Sequence, residues 1–152
     1  MNLVVKKYGG TSVASIAKIS KIAENLIDEY NSKKKLVVVL SAMGNSTDKL
    51  VNLSSRVSKN PNTRDFDMLL SSGEQVSVSL LSMILNERGI AAKSYTGWQA
   101  GIKTNIDYSN ARILSIDTKR IRADLKRGFV VVVAGFQGIN NRGDITTLGR
   151  GG

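Results

Sequence analysis

The run Lys7-Tyr8-Gly9-Gly10-Thr11-Ser12 joins a short apolar stretch, Leu3 to Val5, to a long amphipathic one, the layout of a strand, a tight turn and a helix. Consecutive backbone N–H groups at such a turn, backed by the positive end of a helix dipole, make a cradle for an anion, and Lys7 adds a point charge. A glycine turn made only for close packing has the same composition, so this segment alone supports both readings. Its spacing matches neither GxxxxGK[ST] nor GxGxxG, so it carries neither of those fingerprints.

Three further places carry groups of similar promise. Ser41-Ala42-Met43-Gly44-Asn45-Ser46-Thr47-Asp48 follows an apolar run, where ligands of open α/β sheets sit. Ser41 and Thr47 offer hydroxyls there and Gly44 lets the backbone approach closely, although a plain strand-to-helix connection reads the same way. Glu74, beside Gly73 at an apparent break in a helix, is a carboxylate that could hold an ammonium group, whereas a lone helical glutamate is ordinarily solvated. Arg150 stands among Gly149, Gly151 and Gly152, a frame suited to a two-pronged grip on a carboxylate or phosphate, whereas a glycine-rich terminus is ordinarily disordered.

Composition narrows the chemistry. The chain of 152 residues has no histidine and no cysteine, which removes imidazole bases, thiol nucleophiles, disulfides and nearly all zinc sites. Catalysis then falls to Lys, Arg, Asp, Glu, hydroxyls and backbone amides. A net charge of +10 points to nucleic acid, anionic small molecules or an acidic partner surface, without choosing among them. The basic residues Lys119, Arg120, Arg122, Lys126 and Arg127 lie opposite Ile121 and Leu125 and read as a solvated helix face. Trp98 and Phe136 read as packing residues, not as a stacking platform for bases.

The elements that must position these groups alternate. An amphipathic arc from Val13 through Ile16, Ile19, Ile22, Ala23, Leu26 and Ile27 to Tyr30 predicts a helix of about five turns. Leu36 to Leu40 reads as a strand buried on both faces, and Leu50, Leu53 and Val57 mark a short helix. From Asp65 to Arg88 the pattern is helical but interrupted at Ser71, Ser72 and Gly73, with Gly89 as a C-terminal cap. A strand near Ala91 to Tyr95, an irregular stretch from Trp98 to Thr104, a possible strand over 111–117, a helix near Lys119 to Lys126 and a strand over 129–134 complete the series. The order predicts an α/β fold with a mainly parallel, helix-covered sheet. The only proline is Pro61 and no linker divides the chain, so one domain or a large part of one is expected. Neither long apolar run, 36–40 or 129–135, is long enough to cross a bilayer, and no signal-peptide layout opens the chain. A soluble cytoplasmic protein is the expectation.

Taken in order, KYGGTSV, SAMGNSTD, SSGE, YTGWQAGI, VAGFQG and TTLGRGG resemble the aspartate kinases of the amino-acid kinase family, over nearly the whole chain. The resemblance implies a three-layer α/β/α fold and ATP-dependent phosphorylation of the side-chain carboxylate of L-aspartate to 4-phospho-L-aspartate, the first step towards lysine, threonine and methionine. That acceptor is already an anion at neutral pH and needs no general base, which suits a chain without histidine. By the same resemblance, Lys7 stabilises the transferring phosphoryl group and, with Tyr8, Gly9 and Gly10, forms the ATP phosphate site. Ser41 and Thr47 line the aspartate site, Glu74 receives the substrate ammonium, and Arg150 with Gly151 and Gly152 holds a substrate carboxylate. ATP with Mg²⁺ is the implied co-substrate, with no metal ligated by the chain itself. The implied partners are L-aspartate and ATP, with no nucleic acid and no membrane, and a homo-oligomer at full length.

Aspartate kinases continue TTLGRGG with Ser-Asp, a nucleotide-binding half and regulatory ACT domains. Residues 1–152 are therefore expected to be the N-terminal, aspartate-binding portion, with little turnover alone. The alternatives are a stand-alone basic module binding nucleic acid and a truncated assembly module.

Overall fold

Apolar strands without polar alternation need cover on both faces, and the chain supplies it with intervening helices. A computed structural model describes residues 2–149. The elements follow as β1 (Leu3–Tyr8), α1 (Ile16–Asn31), β2 (Lys35–Leu40), α2 (Ser46–Val57), α3 (Thr63–Glu87), β3 (Ala92–Tyr95), β4 (Ile102–Thr104), β5 (Ile113–Ile116), α4 (Lys119–Lys126), β6 (Val130–Ala134), β7 (Gln137–Ile139) and β8 (Ile145–Thr147). Arg150, Gly151 and Gly152 lie outside the described residues.

The expected parallel sheet is present. Its order is β1-β2-β6-β3 and every pairing is parallel. On one face Ile19, Ile22, Ala23 and Leu26 of α1 and Val78, Leu81 and Leu85 of α3 pack against Leu36, Val38, Leu40, Val130 and Val132. On the other face Ile121 and Leu125 of α4 cover Val131 and Val133. Each fully buried leucine or isoleucine in these layers stabilises the fold by about 2 kcal/mol. The result is the three-layer α/β/α arrangement, with the basic residues of α4 on the solvated face as expected.

Several boundaries differ from the expectation, each for a physical reason. Helix α1 starts at Ile16, capped by the Ser15 hydroxyl, which accepts the Lys18 N–H at 3.2 Å. Val13 is buried as a loop residue, Ile16 is 54% exposed, and Gly9 to Ser12 form a turn that precedes α1, with Lys18 Nζ of its first turn donating to the Thr11 carbonyl at 2.9 Å. Helix α3 runs unbroken through Ser71, Ser72 and Gly73. The absence of a side chain at Gly73 is a matter of space: a Cβ there would come within 3.2 Å of Ala42 Cβ and 3.3 Å of Leu50 Cδ1. Gly89 does cap α3, with φ +80.

A second sheet, ordered β5-β4-β7-β8, was not foreseen. Three of its strands have three residues each, too short to show a period, and β4 lies within the stretch expected to be irregular. Helix α3 joins the two sheets. Its C-terminal half packs on the parallel sheet, while Asp67, Ser71 and Glu74 on its N-terminal half bond to β7, β8 and the loop over 105–110. By length and composition α3 would also suffice to cross a membrane, but half of its most apolar window is buried in this core.

Candidate functional site

Loops leaving the C-terminal ends of β1 and β2 are tied edge to edge. Ser41 N–H donates to the Tyr8 carbonyl at 3.1 Å and Gly44 N–H to the Gly10 carbonyl at 2.9 Å. A Cβ at Gly10 would stand 3.2 Å from the carbonyl oxygens of both Ala42 and Gly44, so any side chain there pushes the loops apart. Gly44 sits at φ +50, and the Ser77 hydroxyl on α3 donates to the Ser41 carbonyl at 2.8 Å, which holds the second loop against the helix.

These ties shape a cleft of about 280 Å³ that brings together Gly10, Ser41, Thr47 and Glu74, with Ala42, Gly44, Asp48 and Phe136 completing its wall. Thr47 and Asp48 belong to the first turn of α2. The first turn of α2, with the partial positive charge of its N-terminus, therefore borders the cleft. Among the described residues, the N–H groups of Gly9, Gly10 and Thr11 meet no protein acceptor, so the turn retains the free donors of an anion cradle. The Tyr8 ring instead packs against the core. Phe136 is half-buried and walls the cleft, and Trp98 is half-buried elsewhere.

Glu74 is buried, contrary to the ordinary solvated state of a helical glutamate. Its Oε2 accepts from Phe136 N–H at 3.1 Å and from Gln137 Nε2 at 3.0 Å. Among the described residues no group donates to Oε1. Burial pushes the carboxyl up from 4.5 to about 7, against the opposing pull of the Phe136 N–H, the Gln137 amide and the Lys7 charge. Lys7 is exposed at the end of β1, near enough for its ammonium to act on this carboxylate.

A raised acid binds its proton more tightly folded than unfolded. The contribution of Glu74 to stability is therefore largest below pH 4.5, declines as pH rises towards 7, and above that is lower by on the order of 3 kcal/mol. Glu74→Gln removes this titration. Urea unfolding of the variant should show a flatter stability profile than wild type between about pH 5 and pH 8, and an unchanged slope would count against the assignment.

Two supporting residues went unassigned at the sequence level. Gln137 is fully buried and reaches three ways: Nε2 donates to Ser71 O at 2.9 Å and to Glu74, and Oε1 accepts Gly97 N–H at 3.2 Å. Asp67 is fully buried and accepts from both the N–H and hydroxyl of Ser109 and both the N–H and hydroxyl of Thr147, each at 2.8 Å. The signal available in the sequence was the spacing of Asp67, Ser71 and Glu74, which sets three polar groups on one face of the helix.

Residues 2–152 match the family model described as the amino acid kinase family. The chain belongs to that family. Among its relatives, an aspartokinase of Bacillus sp. (strain MGA3) is 55% identical over 152 residues, covering 100% of this chain and 37% of that protein. The chain thus spans little more than a third of the length of this curated relative. The crystal structure of aspartate kinase from Synechocystis superposes with a TM-score of 0.82 at 45% identity, over 100% of this chain and 25% of that one. E. coli aspartokinase III in complex with aspartate and ADP (R-state) superposes at 0.80 with 23% identity, over 100% of this chain and 44% of that one, a likeness of fold.

Proposed function

We propose that this cleft binds L-aspartate and that the protein of which these residues form part phosphorylates the aspartate side chain with ATP, giving 4-phospho-L-aspartate. One observation carries the reading: Glu74 is a buried carboxylate with one oxygen anchored by Phe136 and Gln137 and the other unclaimed at the cleft. A buried carboxylate of this kind suits an ammonium, and an amino acid supplies one. Ser41, Thr47 and the α2 terminus then face the carboxylate end, with Arg150 assigned to the same end by the family resemblance.

The transferring phosphoryl group is assigned to the turn at Gly9 and Gly10, where free N–H groups and the Lys7 charge can neutralise its oxygens. Mg²⁺ is assigned to the phosphates of ATP, as the family resemblance implies. The remaining nucleotide contacts belong, on this reading, to the further length that the relatives have, and residues 1–152 alone should form little acyl phosphate. The protein is assigned to the cytoplasm, as a homo-oligomer.

Titration with aspartate tests the reading. Glu74→Gln keeps the shape and removes the charge, so aspartate affinity should fall by about 1–3 kcal/mol while ATP affinity stays unchanged. In the wild type, aspartate affinity should decline as pH drops below about 7, where free Glu74 takes up a proton. Equal aspartate constants for wild type and Glu74→Gln would return Glu74 to a purely structural role.

A further inference from the structure

Gln137 opens β7 fully buried, with both polar atoms of its amide engaged. Oε1 accepts Gly97 N–H at 3.2 Å, while Nε2 donates to the Ser71 carbonyl at 2.9 Å and to Glu74 Oε2 at 3.0 Å. The Gly97 N–H and the Ser71 carbonyl fix which end of the amide is oxygen and which is nitrogen, because a flipped amide would set donor against donor and acceptor against acceptor. A Cβ at Gly97 would collide with the Gln137 carbonyl oxygen, so the turn that supplies this N–H lies directly on the Gln137 backbone. Glu74 therefore faces an N–H at this point and never a carbonyl.

The two oxygens of Glu74 are thereby made unequal. Oε2 accepts from Gln137 and from Phe136 N–H at 3.1 Å, and these two donors occupy the positions a proton would need. Oε1 has no donor among the described residues but, unlike the Ser82 hydroxyl, it is not sealed from solvent, and it opens on the cleft. We propose that Gln137 is a positioning residue for the ligand ammonium: by holding Oε2 as a permanent acceptor, it leaves Oε1 as the one atom of Glu74 that takes up either the ammonium or a proton. The two compete for that atom, and an ammonium-bearing ligand displaces the proton into solvent as it binds. The proposal rests on the assignment of Glu74 to the aspartate ammonium and adds the residue that tunes its affinity for a proton.

Among the described residues, the charged groups facing Glu74 are Lys7 from β1 and Asp48 from the first turn of α2, both exposed and therefore screened by solvent. Residues 135–139 carry no charge, and Asp67, two turns earlier on α3, is committed to Ser109 and Thr147. The Gln137 N–H, in contrast, acts at contact in the interior.

Isothermal titration calorimetry with aspartate, on an enzyme carrying this sequence at the length of its relatives, reads the exchange. At about pH 7 free Glu74 is roughly half protonated, so the wild type should release about half a proton per aspartate, seen as a dependence of the apparent enthalpy on the ionisation enthalpy of the buffer. Gln137→Met keeps the length but removes the donor, and the pH at which aspartate affinity is half lost should rise by about one unit. Affinity then falls roughly fivefold at about pH 7 and returns to within about twofold of wild type at about pH 9. Gln137→Glu keeps the shape and should move the midpoint in the same direction, since a second carboxyl beside Oε2 opposes ionisation. Should neither variant fold, the wild-type proton count decides. Losses of equal size at both pH values, or no proton release while Glu74→Gln still weakens aspartate binding, overturn the proposal and leave the aspartate assignment standing. Equal aspartate constants for wild type and Glu74→Gln overturn both.

Discussion

Replacing Lys7 by alanine is expected to lower kcat by about 10²–10³-fold, in an enzyme carrying this sequence at the full length of its relatives, while the aspartate KM changes by less than about threefold. The acceptor carboxylate and the phosphoryl donor are both anions, so the barrier is dominated by charge that concentrates as phosphoryl transfer proceeds. A side chain that counters that charge acts mainly in the transition state and appears in kcat. Lys7 stands where this is possible. It is the penultimate residue of β1, one residue before the Gly9–Gly10 turn, it is exposed, and its charge favours the ionised form of Glu74. Arginine at this position keeps a charge but not its compact placement, so Lys7→Arg should recover only part of the rate. Steady-state kinetics with aspartate and ATP varied separately decide it. A kcat unchanged in Lys7→Ala would remove Lys7 from the chemistry.

The second large effect lies away from the cleft. Asp67→Ala should destabilise the fold by on the order of 4 kcal/mol, because the N–H groups of Ser109 and Thr147 lose their acceptor inside the protein and the two hydroxyls lose theirs. Ser109 adds to the cost. It holds φ +61, a conformation unfavourable for a residue with a side chain, and Asp67 accepts from both of its donors. Denaturant unfolding gives the magnitude, and hydrogen exchange gives the location. The Thr147 and Ser109 amides should lose protection before those of β2 and β6, since Asp67 ties β8 and the 105–110 loop to α3 without touching the parallel sheet. A loss below about 1 kcal/mol would mean that water replaces the carboxylate.

How much could be read from the sequence follows from the range of the interactions involved. Leu36–Leu40 and Val130–Ala134 announced themselves as strands because burial on both faces removes polar residues, and α4 was legible because its apolar and basic faces are distinct. Helix α1 was placed one turn early because Val13 is buried for a reason unrelated to helical periodicity. Gly73 looked like a break because local propensity penalises a helical glycine, whereas the cause is the approach of Ala42 and Leu50, which are distant in sequence. The same holds at the site. Gly10, Ser41, Thr47 and Glu74 were picked out by type and motif, and they do line one cleft. That Glu74 is buried, that Gln137 anchors it and that Asp67 fixes β8 are long-range facts, set by partners some 40 to 80 residues away. A single sequence carries no record of them beyond the polar face of α3.

The central claim is that aspartate is the phosphoryl acceptor at the Glu74 cleft. The most direct measurement incubates an enzyme carrying this sequence at the length of its relatives with ATP, Mg²⁺ and hydroxylamine, which traps an acyl phosphate as a coloured hydroxamate. Hydroxamate should form only when both ATP and L-aspartate are present, and Glu74→Gln should demand a higher aspartate concentration for the same rate. Wild-type enzyme that hydrolyses ATP without forming aspartyl hydroxamate, or forms it equally well after Glu74→Gln, would contradict the assignment of this cleft to aspartate.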